Sequence, residues 1–98
     1  MPTLSYRNLR KTIIIIIFIL LSHLSFAAVS YNVLKEEARF YREKGYEVQR
    51  SGDLDTAMGY YQKAVELDPL YAAAYNDLGV VYDIKGLKDR AEECYLKT

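Results

Sequence analysis

The 98-residue chain has few of the residues that carry chemistry in small proteins. It contains one histidine, His23, one cysteine, Cys94, and no tryptophan. A single cysteine excludes a disulfide within the chain, and there is no cysteine–histidine cluster of the kind that binds zinc. The sequence also lacks a phosphate-binding loop and a Gly-rich dinucleotide fingerprint. We therefore predict no catalytic residues, no cofactor and no metal, so the chain is not expected to be an enzyme.

The remaining acidic patterns have ordinary structural explanations. Asp53 and Asp55 form a D-x-D that could bind a cation, but a turn and a helix N-cap account for both residues. Glu43 and Glu47 lie four residues apart like a paired-carboxylate site. Basic neighbours make them a solvated helix face instead. Cys94 is predicted to be a buried small hydrophobe.

Charge is absent from residues 12–34, and this uncharged stretch has the order of an export signal. Its apolar core covers residues 13–21, and Ser25-Phe26-Ala27 offers small residues at the positions that signal peptidase reads. We predict that residues 1–27 are a signal peptide that is removed, leaving the protein periplasmic or extracellular if it is bacterial. The stretch is preceded by three basic residues, Arg7, Arg10 and Lys11.

An uncleaved membrane anchor is the alternative for the same segment. The apolar core is shorter than the roughly 20 residues that span a bilayer. Counting onward through Ser22 and His23 makes residues 12–29 a marginal span of the inner membrane. We expect membrane contact only through this segment.

The rest of the chain is mildly acidic. Without residues 1–27 it has 10 basic and 13 acidic residues, a formal charge of −3. Nucleic-acid modules normally show a basic footprint, so a nucleic-acid partner is not expected. The sequence leaves the oligomeric state open.

An internal repeat organises this acidic part. Residues 38–64 and 72–98 share eight identities in 27 aligned positions at an offset of 34, where chance gives about two. Each unit is predicted to form two helices, the first beginning near Asn32 or Lys35. Asp68 is expected to cap the third helix, with Pro69 in its first turn. The identities are Ala38/Ala72, Tyr41/Tyr75, Gly45/Gly79, Gly52/Gly86, Asp55/Asp89, Ala57/Ala91, Tyr61/Tyr95 and Lys63/Lys97.

Two glycines lie inside predicted helices, where each costs about 1 kcal/mol relative to alanine. We predict that Gly45 and Gly79 face Ala57 and Ala91 and let paired helices approach closely. Tyrosines are expected to fill the space on either side. They are Tyr41, Tyr61, Tyr75, Tyr82 and Tyr95.

These spacings resemble the tetratricopeptide repeat, a 34-residue helix–turn–helix. The resemblance implies an all-α, TPR-like α-solenoid after the hydrophobic N-terminal signal segment. It divides the chain into residues 28–37 as a lead-in, 38–71 as the first unit and 72–98 as a truncated second unit. Its motif falls on Tyr41, Lys44-Gly45, Val48, Ala57, Tyr61, Ala64 and Pro69, and again on Tyr75, Leu78-Gly79, Tyr82, Ala91 and Tyr95.

The resemblance also implies a function, because such solenoids bind partners on a concave surface. We expect a non-enzymatic module that holds a protein or peptide in this groove. Asn76 lies near a position that holds a peptide carboxylate in some family members, but its neighbour Asp77 has the wrong charge. The alternative is the N-terminal docking arm of a larger exported or membrane-anchored enzyme whose catalytic part lies beyond residue 98. The predicted groove residues are Arg39, Arg42, Tyr46, Gln49, Ala73, Asn76, Val80 and Asp83.

Overall fold

The computed structural model describes residues 5–98, which form four α-helices. They are α1 (Tyr6–Arg50), α2 (Leu54–Leu67), α3 (Ala72–Ile84) and α4 (Lys88–Tyr95). This order confirms the predicted all-α, helix–turn–helix fold. The chain divides into two compact units, Met1–Asn32 and Val33–Thr98. The first four residues of the predicted signal lie outside the described residues.

In the first unit, α1 carries the uncharged stretch, and every side chain described there is exposed. The hydroxyl groups of Ser22 and Ser25 donate to the carbonyl oxygens of Ile19 and Leu21, at 2.8 and 3.0 Å. These bonds satisfy both hydroxyls within the helix. By length and composition α1 could cross a membrane, although a signal sequence near an N-terminus has the same properties.

The first predicted helix begins earlier than expected. We placed its start near Asn32 or Lys35, and this is wrong because α1 begins at Tyr6. No glycine or proline interrupts the chain between Tyr6 and Gly45, so nothing in the sequence breaks the helix there. Residues 28–37 are helical throughout.

In the second unit, glycines and one aspartate form the turns as predicted. Gly52 and Gly86 end helices with φ values of +93° and +78°, which glycine adopts without steric cost. Asp53 is the N-cap of α2, and its side chain accepts the backbone N–H of Thr56 at 3.1 Å. Two hydrogen bonds from Thr56 lower the pKa of Asp53.

The connection between α2 and α3 differs from the prediction. Asp68 is the C-cap of α2 rather than the N-cap of α3, and its carboxylate accepts the backbone N–H of Leu70 at 3.2 Å. The backbone N–H of Tyr71 bonds to the Asp68 carbonyl at 3.0 Å, closing an intervening turn. Pro69 therefore lies in this turn, before α3 begins at Ala72.

The hydrophobic core lies among α2, α3 and α4. Tyr61 and Val81 are its largest fully buried side chains. Cys94 is a buried free cysteine, as predicted, and burial raises the pKa of its thiol. The core consists of Ala57, Tyr61, Leu78, Val81, Tyr82, Ala91 and Cys94.

Both interior glycines lie against aromatic rings. A Cβ atom built on Gly45 would lie 2.6 Å from Cε1 of Tyr61, and one on Gly79 would lie 2.6 Å from Cε1 of Tyr95. The nearest group to each glycine is a tyrosine ring rather than Ala57 or Ala91. Each tyrosine lies one helical turn after the corresponding alanine, and its ring covers the glycine.

Candidate partner-binding surface

The eight residues predicted to bind a partner lie on α1 and α3, and we call their surface the A-helix face. None of them is buried in the structure. All are thus accessible to a partner to some degree. Arg39, Tyr46, Asn76 and Asp83 are exposed, whereas Arg42, Gln49, Ala73 and Val80 are partly exposed.

One ion pair joins α1 and α3 on this face. Nε of Arg42 donates to Oδ2 of Asp77 at 2.6 Å, and the guanidinium group lies over the ring of Tyr71, 5.8 Å from its centroid. The hydrogen bond from Arg42 to Asp77 is the main reason that the pKa of Arg42 is raised. Arg42 is therefore partly engaged within the protein before any partner arrives.

Two tyrosines of α2 and α4 bond to the last turns of α1 and α3. The hydroxyl of Tyr61 donates to Oε1 of Gln49 at 2.7 Å, and that of Tyr95 donates to Oδ2 of Asp83 at 2.8 Å. The two bonds join equivalent positions of the two repeats, since Tyr61 and Tyr95, like Gln49 and Asp83, are 34 residues apart. Burial, with a smaller contribution from Asp77, raises the pKa of Tyr61 to about 12. Gln49 and Asp83 each use one acceptor atom in these bonds.

Tyr46 is the largest apolar side chain that the face exposes among the predicted residues. Its side chain is 56% exposed, and the guanidinium group of Arg50 lies 6.0 Å from its ring centroid. A cavity of about 410 Å³ adjoins it. Arg42, Glu43, Tyr46 and Glu47 line this cavity.

A second cavity lies where α1 meets the turn between α2 and α3. Its volume is about 380 Å³, and Leu70, 83% exposed, contributes an apolar wall. Arg39 lines this cavity while paired with Glu36. The remaining lining residues are Lys35, Glu36, Asp68 and Tyr71.

Sequence reasoning missed the residues that hold the face together. Asp77 has the wrong charge for a carboxylate-binding site, yet it is the partner of Arg42. The sequence does contain a pattern that predicts this pair, because Asp77 follows Arg42 by 35 residues, one more than the repeat period. Such residues lie at nearly equivalent positions on neighbouring helices. Tyr71 offered no comparable signal, since it lies in an irregular turn.

Two other side chains have structural roles. Asp55 forms an ion pair with Lys85, and the ring of Tyr60 stacks on Tyr41 with 6.2 Å between centroids. Across residues 5–98, no group of three His, Cys, Asp or Glu side chains could hold a metal ion. The absence of catalysis remains a prediction.

Comparison with known proteins identifies the repeat. A family model described as a TPR repeat matches residues 45–86. Residues 45–86 of this chain therefore carry a tetratricopeptide repeat. The TPR match covers the end of α1, all of α2 and α3, and the turns that follow them.

Two known proteins are similar to this chain. The uncharacterized protein MJ0572 of Methanocaldococcus jannaschii is 36% identical over 62 residues, which make up 63% of this chain and 72% of that protein. The crystal structure of MamA matches with a TM-score of 0.59 and 32% identity. That match covers 61% of this chain and 35% of the MamA chain. The TPR match and the likeness to MamA support a protein-interaction scaffold.

Proposed function

We propose that this TPR protein binds an extended segment of a protein partner on its A-helix face. The observation that carries the proposal is the exposure of Tyr46 beside the open 410 Å³ cavity. Tyrosine is enriched in protein interfaces because a single side chain offers both apolar area and a polar group. Tyr46 is not part of the hydrophobic core.

The rest of the face supports a polypeptide rather than a small molecule. Small-molecule sites are mostly apolar and enclose their ligand. The A-helix face instead alternates small apolar residues, Ala73 and Val80, with the amide of Asn76 and the paired Arg42. An extended chain presents the same alternation of polar backbone and side chains.

Affinity capture with the full chain tests this assignment. Tyr46→Ala with Asn76→Ala should weaken capture of the partner while leaving the helical circular dichroism spectrum unchanged. The matched control is Lys63→Ala with Glu66→Ala, since both residues are exposed on α2 and away from the face. Loss of capture in the control but not in the face variant would overturn the proposal.

We also propose that the N-terminal segment directs the protein to a membrane and across it. The basic residues Arg7, Arg10 and Lys11 precede the uncharged stretch. Because basic residues favour the cytoplasmic side, this order predicts that the N-terminus stays inside and that the chain after the uncharged stretch is exported. A charge within the stretch, as in Ile16→Lys, should stop export whether or not the segment is later removed.

Of the two fates of this segment, helix continuity favours a retained anchor. α1 runs without a break through Ala27 and Ala28, where cleavage was expected. Helical backbone groups are already hydrogen-bonded to each other and must be freed before a protease can bind them in extended form. Mass spectrometry of the mature protein decides the question. An intact N-terminus supports the anchor, whereas one at or near Ala28 shows cleavage.

A further inference from the structure

The charges of the A-helix face are unequally available to a partner. Arg39 is paired with Glu36, and Arg42 with Asp77. By contrast, Glu43 has no ion pair or hydrogen bond within residues 5–98, and its side chain is exposed. Both arginines of the face are thus already paired, while a carboxylate on the same face is not.

The unpaired carboxylate lies beside an aromatic ring. Glu43 and Tyr46 are three residues apart on α1, and Glu47 follows, so all three line the 410 Å³ cavity. Glu47 has only an exposed, 3.3 Å contact with Lys44. Two like charges four residues apart on a helix repel each other, which an incoming cation would relieve.

The ring itself is placed to bind a cation. Arg50 already lies over Tyr46 at 6.0 Å, within the range of a cation–π interaction. No carboxylate pairs with Arg50 in the described part of the chain. Arg50 therefore competes with a partner's cation for the ring of Tyr46.

From this arrangement we infer that the cavity at Glu43, Tyr46 and Glu47 binds a lysine or arginine side chain of the partner segment. The inference rests on the proposed function of the A-helix face and names the chemistry of its partner. Two carboxylates beside an exposed aromatic ring complement a long side chain with an apolar stem and a cationic end. The chain after residue 27 has more acidic than basic residues, which also favours a cationic partner.

The test uses the full chain in detergent micelles and fluorescently labelled decapeptides of alternating alanine and lysine, or alanine and glutamate. Fluorescence anisotropy should show binding of the lysine peptide and none of the glutamate peptide. Glu43→Gln should weaken lysine-peptide binding by about two- to fivefold, the size of an exposed cation–π or ion-pair contact. Glu66→Gln removes a similar exposed charge from α2 and should change nothing.

Arg50→Gln supplies a second and opposite result. Removing the internal cation from the Tyr46 ring should tighten lysine-peptide binding. Preference for the glutamate peptide, or equal effects of Glu43→Gln and Glu66→Gln, would overturn the inference. If Tyr46→Ala still weakens partner capture in that case, the A-helix face is correct and only its charge preference is wrong. If Tyr46→Ala also leaves capture unchanged, both proposals fail.

Discussion

The two repeats share one packing device but bury it to different extents. In each repeat, a glycine of the first helix lies under a tyrosine ring of the second, and that tyrosine bonds back to the first helix. Tyr61 is fully buried, whereas Tyr95 is 36% exposed. The sequence motif is therefore the same, and the surroundings of the ring differ.

The difference in burial between the two rings comes from α3, the helix that follows Tyr61. α3 packs against α2, and the hydroxyl of Tyr82 accepts a hydrogen bond from Nε2 of Gln62 on α2 at 3.1 Å. The ring of Tyr61 lies in the same buried cluster as Tyr82 and Val81 of α3. In the described chain, nothing covers Tyr95 in the same way. A repeat therefore takes much of its stability from its neighbour, as expected for a solenoid.

The largest effect should come from removing the rings. Tyr61→Ala should lower the free energy of unfolding by about 3–5 kcal/mol, because it leaves a cavity in the core. Tyr95→Ala should cost less than half as much, since its ring is partly in water. Urea denaturation of the full chain followed by circular dichroism measures both. Equal losses would show that α3 does not account for the difference.

The glycines should show a smaller difference of the same sign. Alanine at either position gains about 1 kcal/mol in helix propensity but places Cβ against a ring. Overpacking typically costs about 1–3 kcal/mol. Gly45→Ala should be destabilising because the buried Tyr61 ring cannot move away. Gly79→Ala should cost less, since the ring of Tyr95 can move toward solvent. Thermal melts of the two variants compare them directly. A higher melting temperature for Gly45→Ala would contradict the close packing.

Alkaline pH should lower the stability of the fold through the buried Tyr61. The pKa of Tyr61 is raised to about 12 in the folded protein, mainly by burial, from about 10 in an unfolded chain. The protonated form is therefore favoured by folding, and its stabilisation is full below pH 10 and lost as the pH rises toward 12. By pH 11 the wild type should lose about 1 kcal/mol relative to Tyr61→Phe. Urea midpoints at pH 8 and pH 11 for both proteins measure this. A constant gap between them would show that Tyr61 does not titrate with folding.

The smallest effect concerns the ion pair between the repeats. A double-mutant cycle with Arg42→Gln and Asp77→Asn should give a coupling energy of about 0.5–1 kcal/mol, reduced by partial exposure. The exposed pair Lys63–Glu66, at 3.9 Å within α2, is the control and should give less. Equal couplings would mean that the 2.6 Å contact does not hold α1 to α3 in solution.

Much of the fold could be predicted because the signals are local or periodic. Gly52 and Gly86 are needed where the backbone turns to positive φ, and the 34-residue offset pairs equivalent residues. The start of α1 could not be predicted in the same way. Boundaries are read from breakers and caps, and no glycine or proline lies between Tyr6 and Gly45.

The surface was harder to predict than the fold. Periodicity places Arg42 and Gln49 on the exposed side of a helix, and the structure agrees that neither is buried. Periodicity gives no information on which polar groups are already hydrogen-bonded within the protein. Those bonds depend on side chains 12 to 35 residues away, such as Tyr61 for Gln49 and Asp77 for Arg42.

Site-specific photo-crosslinking can test whether the A-helix face binds the partner. A photoreactive phenylalanine derivative is placed at Tyr46 in one full-length protein and at Lys63 in another, and both are irradiated where the protein is normally made. We predict a protein adduct from position 46 and none from position 63, with the adduct lost when unlabelled wild-type protein competes. An adduct from position 63 alone would contradict the claim and place the binding surface on α2.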